Sequence, residues 1–514
     1  MNKHAAALAL VLIYAAAFRL SVLNRPFDYD AEGSGCLNGV LARSYLRFGW
    51  AAGHGMPILS NDPDLGAPIV FYPDHPPLVP LLIVPVYAAF GVGAWQTRLP
   101  VSLLTLAAIF VLYRMVAARA GERAAILAAA IFAATPMTLY FGGFPDVVGT
   151  PLVLFVLLTV STYLRFHDNP QPDTFWPFVG AFVLAGVCDW PAYVLVPVLT
   201  LHFLTTRHRG DWRWIFGFLL AACLLFAAVY TYITFATHSA WTWMIPKFTR
   251  RSGLAGGSHV WSLEWLAAAF AANRTYHTLP LLVVSGAWVA VCGFRLRKSI
   301  PGAAIARLLL AWAAVYAFIG SKALFNHEWA WIPFTPGLAV AAALALDAGL
   351  ETAERRGRAR LAGYAVAVLL VSCAAWTAYS TFGSLYPSTP DQAFTPMDMG
   401  EAIQAAAPDR NEVAMVAGDD EAEAQLWFYG DRLLRTGIRS VQDFERRVHD
   451  GTVDLAYYFD EQPWSARASG IVFPRAWEHD LGVLHAYLKA RYPVKPLPPA
   501  LGRKFEVFDL GATR

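Results

Sequence analysis

Two short stretches near the N-terminus hold the residues best suited to chemistry. The first is Phe27-Asp28-Tyr29-Asp30-Ala31-Glu32-Gly33, and the second is Tyr72-Pro73-Asp74-His75-Pro76-Pro77-Leu78. Six acids fall between positions 28 and 74: Asp28, Asp30, Glu32, Asp62, Asp64 and Asp74. They follow an apolar run, Ala5 to Leu23, of the length that crosses a bilayer. Carboxylates are costly beside hydrocarbon and rarely sit there without a task. One placed here can take the proton from an attacking hydroxyl or amine. Asp146, Asp189, Lys247, Arg250, Arg251, Lys322 and His327 also stand near the ends of apolar runs. Basic side chains in such places can hold a phosphate and stabilise it as it leaves. Together these groups suit transfer from a lipid-linked phosphate to an acceptor. A nucleotide donor fits less well, since the chain has no Gly-rich loop of the phosphate-cradling GxxxxGK type.

The elements that must carry these residues are membrane helices. Hydrophobic residues make up 57% of the 514 and charged residues 15%, against about 25% charged in soluble domains. Mean hydropathy is +0.42. Tryptophan, 18 residues in all, often ends an apolar run, where indole favours the interface. A net charge of +3 indicates no particular partner, and no basic stripe suggests nucleic acid. The first apolar run follows Lys3 and His4 like a secretory signal, but no small-x-small cleavage site follows, so it reads as an uncleaved span. The cysteines Cys36, Cys188, Cys223, Cys292 and Cys373 lack disulfide or zinc spacing and read as small core residues.

Arginine and lysine gather in four short loops, around 114–123, 207–213, 295–298 and 355–360. The excess of positive charge in cytoplasmic loops places all four inside. The fold expected is mainly α, a polytopic membrane protein with about eleven spans of roughly 20 residues each. They run near 5–24, 97–118, 122–141, 147–166, 175–189, 190–206, 213–236, 278–294, 305–321, 328–349 and 361–380. Segment 76–93, with Pro76, Pro77, Pro80 and Pro85, reads as a helix in the outer interface rather than a crossing. A second interfacial helix is expected in the outer loop 237–277. This topology brings the candidate residues to the outer face.

The character changes near 381. The last 134 residues hold 20 of the 37 acids and no span-length apolar run. Short β-like runs (Val413–Val416, Val453–Phe459, Phe505–Leu510) alternate with helix-like stretches near 420–430, 440–449 and 481–491. Residues 381–514 therefore read as a small soluble α/β domain on the periplasmic side. Residues 1–380 read as the transmembrane domain, with long outer loops at 25–96 and 237–277.

Asp30-Ala31-Glu32, after the first span, resembles the acidic motif in the first outer loop of the GT-C glycosyltransferases. Tyr72–Leu78 is similar to the Asp-x-His-Pro-Pro-Leu segment of protein O-mannosyltransferases and their bacterial relatives, the aminoarabinose transferases among them. Phe90-Gly91, Arg98-Leu99-Pro100, Tyr113-Arg114, Gly121, Ala124–Ala130 and Pro136 resemble that family's next two spans. Asp146 resembles the acid of its second outer loop, and His327-Glu328-Trp329-Ala330-Trp331-Ile332-Pro333 resembles its late Tyr/His-rich helix start. The resemblance covers residues 1–350 and is most specific over 70–140. It implies an inverting transfer of a monosaccharide, hexosyl or pentosyl, from a polyprenyl-phosphate donor. The acceptor would be a lipid, glycan or protein, and the site the outer face of the inner membrane.

The resemblance makes Asp30 the base, with Glu32 beside it; Asp-x-Glu replaces the Asp-Glu of many relatives, so the two can exchange roles. Asp74, His75, Asp146, Asp189, Lys247, Arg250, Arg251, Lys322 and His327 are the candidate substrate- and donor-binding residues. A divalent metal, where one takes part, falls to Asp30, Glu32 and Asp146. Val79-Pro80 stands where the protein mannosyltransferases carry a basic residue, which counts against a protein acceptor. Plainer roles exist for several residues. His75 could cap the helix after Pro76-Pro77, Asp146 could cap span four, Asp189-Trp190-Pro191 could only break two spans, and Lys247, Arg250 and Arg251 could only meet lipid headgroups. A flippase or transporter would need ionisable groups at mid-membrane depth and repeated halves, and the chain shows no repeat. A non-catalytic membrane scaffold would have no need of the acidic motif.

Overall fold

The computed structural model describes residues 3–28, 33–59, 69–145, 149–237, 240–253, 261–293, 300–380, 394–418, 423–448, 452–455, 458–463 and 468–511. Its helices, in chain order, begin with α1 (Lys3–Val22), α2 (Gly33–Ala52), α3 (Leu78–Phe90), α4 (Ala94–Ala120), α5 (Glu122–Ala134), α6 (Pro136–Phe141), α7 (Thr150–Asp168) and α8 (Pro172–Cys188). They continue with α9 (Leu195–Thr206), α10 (Trp212–Thr237), α11 (Ala240–Arg251), α12 (Leu263–His277), α13 (Leu279–Trp288), α14 (Ala303–Ile319), α15 (Ser321–Asn326), α16 (Phe334–Arg355) and α17 (Ala359–Ser380). The C-terminal part adds α18 (Pro396–Ala406), α19 (Glu423–Gly430), α20 (Val441–Val448), α21 (Gly482–Arg491) and the short α22 (Pro499–Gly502).

Each segment read as a span coincides with a helix or a consecutive pair of helices. Among the described residues, four helical segments are long and apolar enough to cross a membrane: Lys3–Val22, Ala94–Ala120, Arg209–Thr237 and Phe334–Arg355. A fifth is the pair Leu263–His277 and Leu279–Cys292, bent by 104°. The bend falls at Thr278, whose φ of 66° is rare for a β-branched residue. α3 is about 20 Å long at ~1.5 Å per residue, short of the ~30 Å of a hydrocarbon core. Loop 237–277 carries two helices, α11 and α12, where one was expected.

Contacts divide the chain into two compact units. The first comprises Met1–Asn24, Pro73–Val79 and Arg98–Pro387. In it α16 packs with α5, α13 and α14, and α7 packs with α8. The buried face of α16 is built of Gly337, Ala339, Ala341, Ala342 and Ala343, and small residues let helix backbones approach. A Cβ at Gly337 would come within 2.9 Å of Leu310, so the close approach to α14 requires glycine there. Arg19, which interrupts the first apolar run, is buried and donates to the carbonyls of Ala15 and Thr138 at 2.8 and 3.1 Å.

The second unit comprises Arg25–Tyr72, Pro80–Thr97 and Ser388–Arg514. Its four-stranded sheet has the order β2-β1-β5-β6, where β1 is Val413–Ala417, β2 Leu433–Ile438, β5 Ala468–Pro474 and β6 Phe505–Asp509. β1 runs parallel to β2 and β5, and β6 is antiparallel to β5. β3 (Thr452–Leu455) and β4 (Tyr458–Pro463) form an antiparallel pair, so the single run expected at 453–459 is two strands. β2 and β5 were not anticipated. One core joins sheet residues to α18, α19 and α2, with Leu37, Leu41, Ile403 and Trp427 buried in it. A second holds Phe444, Leu484 and Leu488 from α20 and α21. Arg43 of α2 donates to the carbonyls of Phe428 and Trp427 at 3.0 and 2.9 Å, and Arg43 and Arg47 pair with Asp431 at 3.1 and 2.7 Å. The cysteine expectation needs correction: Cys36 and Cys188 are buried, but Cys223 is exposed and Cys292 and Cys373 are half-buried.

Candidate functional site

Four separate pieces of the first unit supply the polar residues of one cavity of about 570 Å³. Asp74 and His75 come from the turn before α3, where Pro73, Pro76 and Pro77 hold the backbone out of a helix. Asp189 ends α8 with extended backbone (φ −164°, ψ 159°) and opens the 3-10 turn Trp190–Val194, its carboxylate accepting from the Trp190 N–H at 2.8 Å. Lys247 and Arg251 stand four residues apart in α11, and so share one face. His327 follows the end of α15 in extended backbone (φ −137°, ψ 115°), its N–H donating to the Ala323 carbonyl at 2.9 Å. Indole N–H groups pin the assembly. Trp190 donates to the Asp74 carbonyl at 2.7 Å, and Trp312 of α14 to the Pro191 carbonyl at 2.9 Å.

Two charge pairs define the chemistry. The Asp74 carboxylate touches the Lys247 ammonium, and Arg251 Nη2 lies 3.9 Å from the same oxygen. Burial first, then Arg251 and Arg250, pull Lys247 down to about 6. The Asp74 contact opposes this shift, since an adjacent carboxylate favours the ammonium, and we take the two as a buried ion pair. The second pair joins His75 Nδ1 to Asp189 Oδ1 at 2.7 Å, with both side chains buried. His327, also in the cavity lining, stacks on Trp329 with ring centroids 4.9 Å apart. Burial, then Arg251 and Lys247, lower it to about 4, which makes it a neutral imidazole at physiological pH. The rest of the wall is apolar and aromatic, with Trp190, Phe226, Tyr230, Ile245 and Phe248. Tyr193 Oη and Asp189 Oδ2 are buried there with no hydrogen-bond partner among the described residues.

The sequence-derived candidates therefore divide. Asp74, His75, Asp189, Lys247, Arg251 and His327 line this cavity. Arg250 is exposed, and Lys322 is half-buried; neither lines it. Asp30, Glu32 and Asp146 lie outside the described residues, as do Asp62 and Asp64. The expected metal ligands fall in that group. Among the described residues no three His, Cys, Asp or Glu side chains gather as a metal site. The N-cap position of α7 is Gly149, and the capping role considered for Asp146 lies outside the described residues. His75 is engaged with Asp189 rather than serving only as a cap for α3. Asp189 both breaks α8 and enters the cavity wall. Sequence reasoning missed the aromatic wall. Its one signal was the Trp and Tyr content near span ends, which interfacial anchoring explains equally well.

An apolar slot ending in paired acids and bases can take a molecule with a long hydrocarbon part and an anionic head. Comparison with known proteins agrees in fold. Residues 74–241 match the family described as dolichyl-phosphate-mannose-protein mannosyltransferase. YycA of Bacillus subtilis, designated a mannosyltransferase, is 31% identical over 157 residues, which is 30% of this chain and 22% of that protein. The match thus spans about a fifth of that relative's length. The crystal structure of ArnT from Cupriavidus metallidurans, bound to undecaprenyl phosphate, superposes with a TM-score of 0.63 at 15% identity, covering 98% of this chain and 97% of that one. The oligosaccharyltransferase of Archaeoglobus fulgidus, in complex with Zn and sulfate, gives 0.58 at 15% identity, covering 97% of this chain and 73% of that one.

Proposed function

We propose, from the premise that this chain carries the GT-C glycosyltransferase fold, that it is an inverting membrane glycosyltransferase. It moves a monosaccharide from a polyprenyl-phosphate donor to a lipid, glycan or protein acceptor. In this reading residues 1–380 form the catalytic membrane domain of the inner membrane, with the site at its outer face, and 381–514 form a periplasmic domain. The observation that carries the proposal is the cavity in which Asp74, His75, Lys247, Arg251 and His327 meet an aromatic slot. Arg251 and Lys247 receive the donor phosphate, and the slot receives the first isoprene units of its chain.

The reaction balances with groups of this chain. The acceptor oxygen or nitrogen attacks the anomeric carbon, and its proton passes to the Asp30 carboxylate, with Glu32 assisting. The bond from that carbon to the phosphate oxygen breaks, and its electron pair leaves on polyprenyl phosphate. Arginine and lysine beside the phosphate stabilise that charge. The test uses the purified chain in nanodiscs with radiolabelled polyprenyl-phosphate sugars. Label should leave the polyprenyl phosphate and appear in an acceptor fraction. Movement of intact donor between leaflets without cleavage would identify a flippase instead, and neither event would leave a scaffold.

A further inference from the structure

His327 is held firmly at the cavity wall but is left without a hydrogen bond. Its backbone leaves α15 and opens the 3-10 turn Glu328–Trp331. The Trp331 indole donates to the Leu324 carbonyl at 3.1 Å, and the Trp265 indole to the Ser321 carbonyl at 2.9 Å, so both ends of α15 are tied down. The ring lies nearly parallel to Trp329, with 16° between the planes. It is half-buried and lines the cavity, yet neither ring nitrogen has a hydrogen-bond partner among the described residues. Other ionisable side chains of the wall are engaged: Asp74 with Lys247, and His75 with Asp189. An enclosed polar group without a partner is costly unless a ligand or water meets it.

The charges around the ring indicate what it meets. Lys247 and Arg251 of α11 share the wall, with Arg250 exposed beside them. The turn before α3 brings Asp74 and His75, the end of α8 brings Asp189, and α10 and α14 bring Tyr230 and Tyr316. Lys322 and the exposed Glu328 flank His327 along the chain without lining the cavity. Burial, then Arg251 and Lys247, lower His327 to about 4. A neutral imidazole carries one N–H, which can donate to a phosphate oxygen without any added proton. A phosphate held by Arg251 and Lys247 also offsets the two cations that oppose protonation of the ring.

We propose that His327 is a third ligand of the phosphate, beside Arg251 and Lys247, and that it takes up a proton from solvent as a phosphate monoester settles there. The proposal rests on reading the cavity as the donor site. The donor's phosphate is a diester with one charge. Breaking its bond to the sugar leaves a monoester with about 1.5–2 charges near pH 7. A group that answers the second charge holds the departing phosphate more tightly than the arriving one, and so favours the step. The electron pair of the broken bond stays on the phosphate oxygen, the proton on His327 comes from water, and the acceptor's proton goes to Asp30 as before. The sign follows from linkage: phosphate raises the ring's proton affinity, so a falling pH must strengthen phosphate binding by the same factor.

The test measures binding of undecaprenyl phosphate and of undecaprenol to the full chain in nanodiscs at about pH 8 and about pH 6.5, for wild type, His327→Phe and His327→Gln. Phenylalanine keeps a ring on Trp329 and has no N–H. It should lose about tenfold in affinity for undecaprenyl phosphate, the range of a lost hydrogen bond to a charged group. Its affinity for undecaprenol, which lacks the phosphate, should not change. Glutamine keeps an N–H donor that does not titrate. It should bind like wild type at the higher pH and fall behind by about fivefold or more at the lower one. The phosphate's own titration acts on every variant alike and cancels in these ratios. Either variant carries the test should the other fail to fold. Wild-type affinity in His327→Phe, an equal loss of undecaprenol, or a His327→Gln ratio unchanged by pH would overturn the proposal. A wild-type chain that binds undecaprenyl phosphate no better than undecaprenol would overturn the donor reading itself, a separate outcome.

Discussion

Replacing Asp74 by Asn probes the electrostatics of the cavity directly. The Asp74 side chain is 1% exposed and in contact with Lys247, which is 12% exposed; Arg251, at 3.9 Å, is 37% exposed. Losing one member of a buried pair costs about 3–5 kcal/mol when the other stays charged. Lys247 has an alternative. Burial, then Arg251 and Arg250, already pull it to about 6, and loss of the Asp74 carboxylate can only lower it further, so at pH 7.5 the variant sheds the lysine proton. An unfolded lysine keeps that proton up to ~10.4, so shedding it at ~7.5 costs roughly 4 kcal/mol at ~1.36 kcal/mol per pH unit. The two routes agree in size. Their sign is distinct: between about 6 and ~10.4 the unfolded variant binds the extra proton, so its stability rises with pH across that window and is lowest below it. Thermal unfolding in nanodiscs should show Asp74→Asn melting several degrees below wild type at pH 7.5 and recovering towards pH 9. Asp74→Asn combined with Lys247→Met removes both charges and should regain most of the loss, with undecaprenyl phosphate affinity still reduced. Wild-type melting at pH 7.5 with no pH slope would refute the buried pair.

Two further outcomes follow from the proposed reaction and topology. Asp30→Asn keeps size and hydrogen bonding but loses basicity, so sugar transfer should fall by about 10²–10⁴-fold with donor affinity retained; activity lost only in Glu32→Gln would make Glu32 the base, and activity in both would remove the acidic loop from the chemistry. Reporter fusions after residues 300 and 400 should read cytoplasmic and periplasmic respectively, and the same side for both would contradict the odd number of crossings.

Much of the helical fold was legible because a membrane span needs a long apolar run, and each such run became a helix. The short strands were harder. β2 reads Leu-Leu-Arg-Thr-Gly-Ile and β5 Ala-Ser-Gly-Ile-Val-Phe-Pro. Glycine and small residues in both blur the two-residue alternation on which a strand is recognised. The site was legible as a set of residue types near the ends of apolar runs, and not as pairs. His75 and Asp189 are 114 positions apart, and no local spacing rule joins them. Nor does any rule join Asp74 to Lys247. The α11 periodicity carried no such signal either: Arg250 and Arg251, three and four residues after Lys247, both fall on its side of the helix, and only the packing separates the cavity residues from the exposed Arg250. Lys322 gave no such clue. The cysteines misled because residues in apolar runs of a membrane helix face lipid as readily as core, as Cys223 does not bury.

The most direct measurement is a structure of the chain with undecaprenyl phosphate bound. The phosphate should lie within hydrogen-bonding distance of Arg251 and Lys247, with the first isoprene units along Trp190, Phe226 and Tyr230. A phosphate seated elsewhere, with the Asp74–Lys247 pair untouched by ligand, would contradict the account.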